Sequence, residues 1–416
     1  MKPEGTDRKP WAVLAYTVAD DRGGGGTLDQ PAAAELKSIC SAADFGEMSI
    51  AAQVDFKHAR GVFRGVLTEA PATMRAFEDI PPESHPLWRG IQARLDRSRL
   101  RVQREVVDLN AARANVLTSF LRFGQRECAA DRYVVFFYGH GYGPLGLFFD
   151  AEADDASDKS SMTLSGLAGS LETVSARAAV IVFRACLANT IESAYELRDA
   201  AEFMLASQSI VPIAGIWPWA TFVTALMPSA TSGDVGKAIG RQLALFLETA
   251  ANREPFADVP YSLIDLGAAE AIVDPLKALA DTIESGRDDP PRAVAYANAL
   301  ERARVGYPDD PSGPGDPALL DVPTLCDNLQ ELSGDAVAGP ARALGAAVAS
   351  KLVKWHYSRK GLHRGTALYY KPVKPSDAER SHLYDEGTAL KDDEHYAQLA
   401  LSKATGWHRI ALHPLR

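Results

Sequence analysis

The sequence predicts an α/β protein: a mainly parallel sheet flanked by helices, with a helical region toward the C-terminus. Three observations carry this. The first 216 residues alternate short apolar runs with segments of helical period, the rhythm of strand–helix–strand units. Two of the runs, Tyr133–Tyr138 and Ala178–Phe183, are apolar or aromatic throughout, as in strands covered on both faces. Beyond "WPWATF", 217–222, the pattern turns to successive helices.

Taken in order, Trp11–Ala19 reads as the opening strand, and "GGGGT" leads into a short helix over Leu28–Ser38. Ser49–Lys57 and Gly61–Leu67 alternate and are joined by "HAR", which predicts a hairpin. Asp108 or Asn110 is placed to cap the helix "AARANVLTSFLRFGQREC". After the strand 133–138 come an acidic loop, "DAEADDASDKSS", and a helix capped near Thr163. Then follow the strand 178–183, the helix "LANTIESAYELRDAAEF" and a short strand "MLASQ". Helices are expected over 234–252, 267–285, 290–304 and 335–355, and "GTALYYKP" as a late strand at a sheet edge. The division expected is a core over 1–230, a helical region over 231–355, and a closing strand and helix over 356–416.

Composition narrows the class. Apolar residues at 46% and charged residues at 24% are those of a globular chain with a sizeable core. A net charge of −10 argues against a nucleic-acid partner. "KLVKWHYSRKGLHR", 351–364, is locally basic and reads as a solvated helix end. The four cysteines, Cys40, Cys128, Cys186 and Cys326, are dispersed and form no disulfide framework or C-x-x-C pair. The apolar run at 11–19 is too short for a secretory or spanning segment. No membrane association and a reducing cytoplasm are therefore expected.

The chemistry lies at strand ends, where open parallel sheets bind ligands. His140 stands just after one buried strand and Cys186 just after the next, 46 residues on. A right-handed crossover of that length places the two strands side by side or one apart. Thiol and imidazole then face one crevice, the arrangement needed for nucleophilic acyl transfer. Gly139 and Gly141 bracket the histidine and let a substrate carbonyl approach the backbone. The N–H groups of Gly141 and Cys186 are the candidate oxyanion donors, the latter at the start of a helix whose dipole favours the thiolate. Cys40, Cys128 and Cys326 lack such a setting. "GYGPLG", 141–146, also fits a dinucleotide fingerprint, but Pro144 and "LFFDAEADD" do not open the helix a pyrophosphate needs. No zinc-ligand pattern occurs.

Several blocks resemble the clostripain-like cysteine peptidases of the caspase–hemoglobinase clan: "WAVLAYTVADD", "ADRYVVFFYGHG", "FRACLANTIESAYELRDAAEFMLASQ", "VPIAGIWPW", "GLHRGTALYYKP" and "YAQLALSKATGWHRIAL". The resemblance implies a caspase-like three-layer fold and a cysteine endopeptidase. His140 and Cys186 would be its dyad, with Gly141 lining the oxyanion hole. Ser207 and Gln208 would lie on the wall of the pocket for the residue before the scissile bond. It implies no organic cofactor, calcium in some members, self-processing in the 150–161 loop in others, and a protein or peptide substrate with an activating protein partner. By analogy it points to a bacterial defence or death pathway. A catalytically silent scaffold of the same fold is the rival class.

One position departs from the family pattern. An aspartate commonly stands two residues before the cysteine and selects a basic side chain; here that residue is Arg184. Residues two apart on a strand share a face, so Arg184 is expected beside the thiol. Two readings are open. In one the guanidinium faces the substrate and favours an acidic or neutral residue before the cut; in the other it pairs with an internal carboxylate.

Overall fold

The structure is a computed structural model that describes residues 8–19, 28, 31–32, 34–35, 38–39, 48–55, 62–67, 110–148, 161–173, 177–211, 216–251, 259–305, 318–332, 334–361, 363–372 and 393–415. Its strands are β1 (Lys9–Val18), β2 (Met48–Asp55), β3 (Val62–Leu67), β4 (Ala130–Tyr138), β5 (Ala178–Arg184), β6 (Ala201–Ala206), β7 (Tyr261–Asp265), β8 (Leu319–Asp321), β9 (Val353–Tyr357) and β10 (Ala367–Tyr369). The chain forms two compact units, the first built from β1–β5 with segments 212–246, the second from 141–146, 185–211 and 247–416.

In the first unit the strand order is β3-β2-β1-β4-β5. The pairs β1–β2, β1–β4 and β4–β5 are parallel, and β2–β3 is the expected antiparallel hairpin. The central strands are buried almost end to end: Trp11 to Val18 on β1, Val134 to Tyr138 on β4 and all of β5. This is why they read as unbroken apolar runs and not as alternating ones. The helix Ala114–Glu127 buries Val116, Leu117, Phe120 and Leu121, while Leu164–Glu172 is capped as expected by Thr163, whose side chain accepts from the Gly166 N–H. Asn110 does not cap the first of these. Its Oδ1 accepts from the Ala112 N–H and shapes the turn before the helix, which starts at Ala114; Asp108 lies outside the described residues.

In the second unit β6, β7 and β9 form an antiparallel run, and β8 pairs with β10. Here the sequence reading needs correction. Residues 353–357, "VKWHY", expected in the helix 335–355 and its solvated end, are strand β9: the helix Ala338–Ala347 closes in a wide turn over Val348–Leu352 and the chain then pairs with β7. The basic charges there are taken up by acids: Lys354 pairs with Asp265 at 3.4 Å, and Arg364 with Asp327. The late strand β10 is three residues long and lies on β8, which the sequence had not marked as a strand. Helices are found as expected at Val273–Ser285 and Pro290–Arg302, the latter capped by Asp289. The fold class is α/β with a mainly parallel sheet flanked by helices, as the sequence predicts.

Candidate active site

His140 follows β4 by two residues and is half-buried. Gly139 continues the ladder beyond the strand, its N–H donating to the Arg184 carbonyl at 3.3 Å. A side chain at Gly139 is excluded: a Cβ there would lie 2.8 Å from the Phe148 ring and 2.9 Å from the Val18 carbonyl. The Phe148 N–H donates to the His140 carbonyl at 2.9 Å, so the histidine backbone is tied back by the returning chain. The segment 141–146 folds into a closed turn, with the Tyr142 N–H donating to the Gly146 carbonyl and a single 3₁₀ turn over Gly143–Leu145. No helix opens there to receive a pyrophosphate, and the dinucleotide reading ends with that.

Cys186 lies in a turn two residues past β5 and is half-buried. The turn is sharp because Leu187, fully buried, takes a left-handed conformation with φ 57°. Non-glycine residues held there are rare and cluster where geometry is constrained by function. The Val211 N–H donates to the Cys186 sulfur at 3.3 Å, and the thiol in turn reaches the Val211 carbonyl at 3.9 Å. One expectation fails. The following helix begins at Ile191, with Thr190 as its cap and a length of 6 residues, so Cys186 does not stand at a helix N-terminus. Residues Leu187 to Asn189 are held as a turn and connecting segment: the Leu187 N–H donates to the Ser209 carbonyl and the Asn189 N–H to the Ser207 carbonyl.

Gly141 meets the backbone of this turn. A Cβ on Gly141 would overlap the Cys186 carbonyl oxygen and lie 3.0 Å from both the carbonyl carbon and the amide nitrogen. Ser207 and Gln208 are buried, at 0% and 1% exposure, and their side chains point inward. The Ser207 Oγ accepts from the Ser209 N–H at 3.1 Å, and the Gln208 amide donates to Asp321 at 2.8 Å.

Arg184 has the internal carboxylate of the second reading within reach. Its side chain is 3% exposed and pairs at 2.7 Å with Glu35, itself 5% exposed. The guanidinium lies over the Tyr138 and Trp217 rings, 4.8 Å and 5.5 Å from their centroids. Glu35 also accepts from the Trp217 N–H at 3.1 Å and the Trp219 indole N–H at 2.6 Å. The arginine is therefore charge-balanced by an internal carboxylate. Glu35 sits in "AAAELKS", where nothing in the sequence marks it; only the packing brings it to Arg184. The other cysteines described are buried, and desolvation pushes the thiols of Cys128 and Cys326 up to about 12. Cys40 lies outside the described residues. Among the described residues no cluster of three or more His, Cys, Asp or Glu side chains is placed to hold a metal ion.

A family model described as the Clostripain family of C11 peptidases matches residues 97–310, just over half the chain. Among solved structures, a secreted C11 cysteine protease from Bacteroides thetaiotaomicron, in complex with an irreversible peptide inhibitor, has 15% identity and a TM-score of 0.63. It covers 96% of this chain and 99% of its own. An inactive zymogen C11 protease from Parabacteroides distasonis has 16% identity and a TM-score of 0.59, covering 96% and 98%. A second secreted C11 structure from Bacteroides thetaiotaomicron has 14% identity and a TM-score of 0.58, covering 91% and 98%. At these identities the structures speak for the fold. No curated protein matches the chain by sequence. Two of the similar structures being described as secreted overturns the expectation of a cytoplasmic chain. Sparse cysteines show that the fold is built without a disulfide framework, which does not report a compartment. The family indicated by the match is the one that the His140 and Cys186 blocks resemble: the chain belongs to the Clostripain family and is a cysteine peptidase.

Proposed function

We propose that the protein is an endopeptidase whose nucleophile is Cys186 and whose general acid and base is His140. The observation that carries this reading is the fit of Gly141, the neighbour of His140, against the Cys186 peptide, where no side chain has room. Gly141 packs on the Cys186 turn, and His140 directly precedes it in the chain, which supports the pairing of these two residues in the mechanism. In this mechanism the thiolate attacks the scissile carbonyl carbon, a C–S bond forms, and the carbonyl electron pair moves to oxygen. The Gly141 and Cys186 N–H groups are the proposed donors to that oxyanion. Collapse expels the amine, which takes its proton from His140, and water then hydrolyses the thioester with His140 as base.

The residue before the scissile bond is proposed to be uncharged. Arg184 ends β5 and its charge is balanced by Glu35, so no net attraction for a carboxylate or an ammonium is expected from it. Ser207 and Gln208 serve the pocket by shaping its backbone. The 150–161 loop, of which only Ser161 is among the described residues, is the proposed site of self-processing. Intact mass after long incubation tests it, and a single full-length species overturns it.

Turnover of a fluorogenic peptide panel tests the dyad. Cys186→Ala and His140→Ala should each lose several orders of magnitude, and Cys128→Ala should stay near the unmodified rate. Retained turnover in Cys186→Ala overturns the mechanism. A silent scaffold would show no turnover in any form.

A further inference from the structure

We infer that Asp321 is a positioning residue for the nucleophile turn, so that chain beyond the segment matched by the family model sets the geometry of Cys186. The inference rests on the Cys186 reading above. The turn from Cys186 to Thr190 is held by two rails. On one side the Ser209 and Ser207 carbonyls accept from the Leu187 and Asn189 N–H groups at 3.0 Å and 2.9 Å. On the other, the Asn189 amide donates to the Gly365 carbonyl at 2.7 Å, and the Ala367 N–H donates to the Asn189 carbonyl at 3.1 Å. Both sides of Asn189 are thereby engaged.

Asp321 joins the rails. Its carboxylate is 2% exposed, and one oxygen, Oδ2, accepts from the Gln208 amide at 2.8 Å and from the Arg364 N–H at 2.7 Å. Gln208 lies between the two serines of the first rail, and Arg364 directly precedes Gly365 of the second. The other oxygen, Oδ1, accepts from the Thr324 N–H at 3.0 Å and the Thr324 hydroxyl at 2.7 Å. That oxygen alone caps the helix Val322–Gln330. Capping leaves Oδ2 unexplained: it binds groups 113 and 43 residues away in sequence, both adjoining the cysteine turn. Four donors and no acceptor surround the group, so a carboxylate is required; an amide would turn an N–H₂ toward an N–H. A buried donor left without its acceptor shifts or strains what it belongs to, and here that is the backbone beside the nucleophile.

The test compares Asp321→Asn, Gln208→Glu, the two combined, and Thr324→Val, with Cys186→Ala as the blank. Three readouts are taken: kcat and KM on a fluorogenic peptide, the iodoacetamide rate at Cys186 by mass spectrometry, and the melting temperature. A misplacement of the order of 1 Å at a reacting group costs about a hundredfold. Asp321→Asn should therefore lower kcat by roughly 10- to 100-fold with KM within about threefold, and change the Cys186 alkylation rate several-fold. Gln208→Glu, which sets two carboxylates together, should do the same; combining it with Asp321→Asn restores the donor–acceptor pair at 208 but not the acceptor for the Arg364 N–H, so it should recover about threefold or more and stay below the unmodified rate. Thr324→Val should lower the melting temperature and leave kcat and alkylation unchanged. Unchanged kcat and alkylation in both Asp321→Asn and Gln208→Glu would overturn the inference, as would equal effects from Thr324→Val. Turnover surviving in Cys186→Ala would overturn the dyad instead, and the alkylation rates would still decide the role of Asp321. If Asp321→Asn does not fold, Gln208→Glu carries the same decision.

Discussion

Arg184 and Glu35, 149 positions apart in the sequence, form an ion pair at 2.7 Å with both side chains buried. Both rings against the guanidinium and both tryptophan N–H groups on the carboxylate belong to the same cluster. Such a pair contributes little net stability over an apolar replacement, because two desolvations offset the attraction, but losing one member leaves a buried charge.

Arg184→Met should then destabilise the protein by about 3–5 kcal/mol, and Arg184→Met with Glu35→Gln should recover much of that loss. The single variant leaves a carboxylate in the pocket region, so its peptide preference should move toward Lys or Arg before the cut. Denaturant unfolding checks the first effect and a panel varying that one position checks the second. Efficient cleavage after Lys or Arg by the unmodified protein would remove the proposed neutral pocket.

Thiol reactivity should separate the cysteines. Burial holds Cys128 and Cys326 up to about 12, so at neutral pH each is protonated and shielded. Cys186 is half-buried and receives an N–H at sulfur. Brief iodoacetamide treatment followed by peptide mass spectrometry should find Cys186 modified well before the other two. Earlier labelling of Cys128 or Cys326 would count against the site.

Gly141→Ala should lower kcat sharply and cost roughly 1–3 kcal/mol, because its methyl group overlaps Cys186 backbone that has no rotamer to yield. Gly169→Ala is the matched control. It lies in the helix Leu164–Glu172 with nothing within 4 Å of its Cβ position, and should gain about 0.5–1 kcal/mol. Melting curves and turnover of the two variants are the measurement.

A pH effect follows from Glu192, a fully buried carboxyl that accepts from the Tyr369 N–H at 2.9 Å and the Tyr396 hydroxyl at 2.8 Å. Desolvation raises its pKa above the ordinary 4.5, against the pull of the Tyr369 N–H and the Tyr396 hydroxyl. The folded state therefore keeps this proton to higher pH than the unfolded chain. The stability it contributes is complete below about 4.5 and is lost as pH rises through the folded value. Glu192→Gln should lack that decline, so its stability relative to the unmodified protein should rise with pH from 4.5 upward. Urea midpoints from pH 4 to 8 would show it; parallel curves for the two proteins would mean that Glu192 ionises normally.

Local pattern carried much of the outcome. Strands β4 and β5 were legible because a strand covered on both faces must be apolar at every position, and six such residues in a row have few other uses. His140 and Cys186 were legible for the same reason: a reactive residue directly after such a strand stands out against it. Short antiparallel strands were not. β8 has three residues and β9 is partly exposed, so neither shows an apolar run, and partners distant in sequence make them strands. The helix placed at Cys186 failed at its boundary, because the left-handed Leu187 and the hydrogen bonds of Leu187 and Asn189 to Ser209 and Ser207 hold the chain in a turn before Thr190 caps the helix. Arg184 was visible as a departure, yet its meaning depended on whether a carboxylate reached it. The sequence by itself marked His140 and Cys186 as the candidates and determined the buried strands that precede them. Only the tertiary structure decided the partners of the buried charges, Glu35 for Arg184 and Gln208 and Arg364 for Asp321, because a charge's partner is set by distance in space and no period along the chain encodes it.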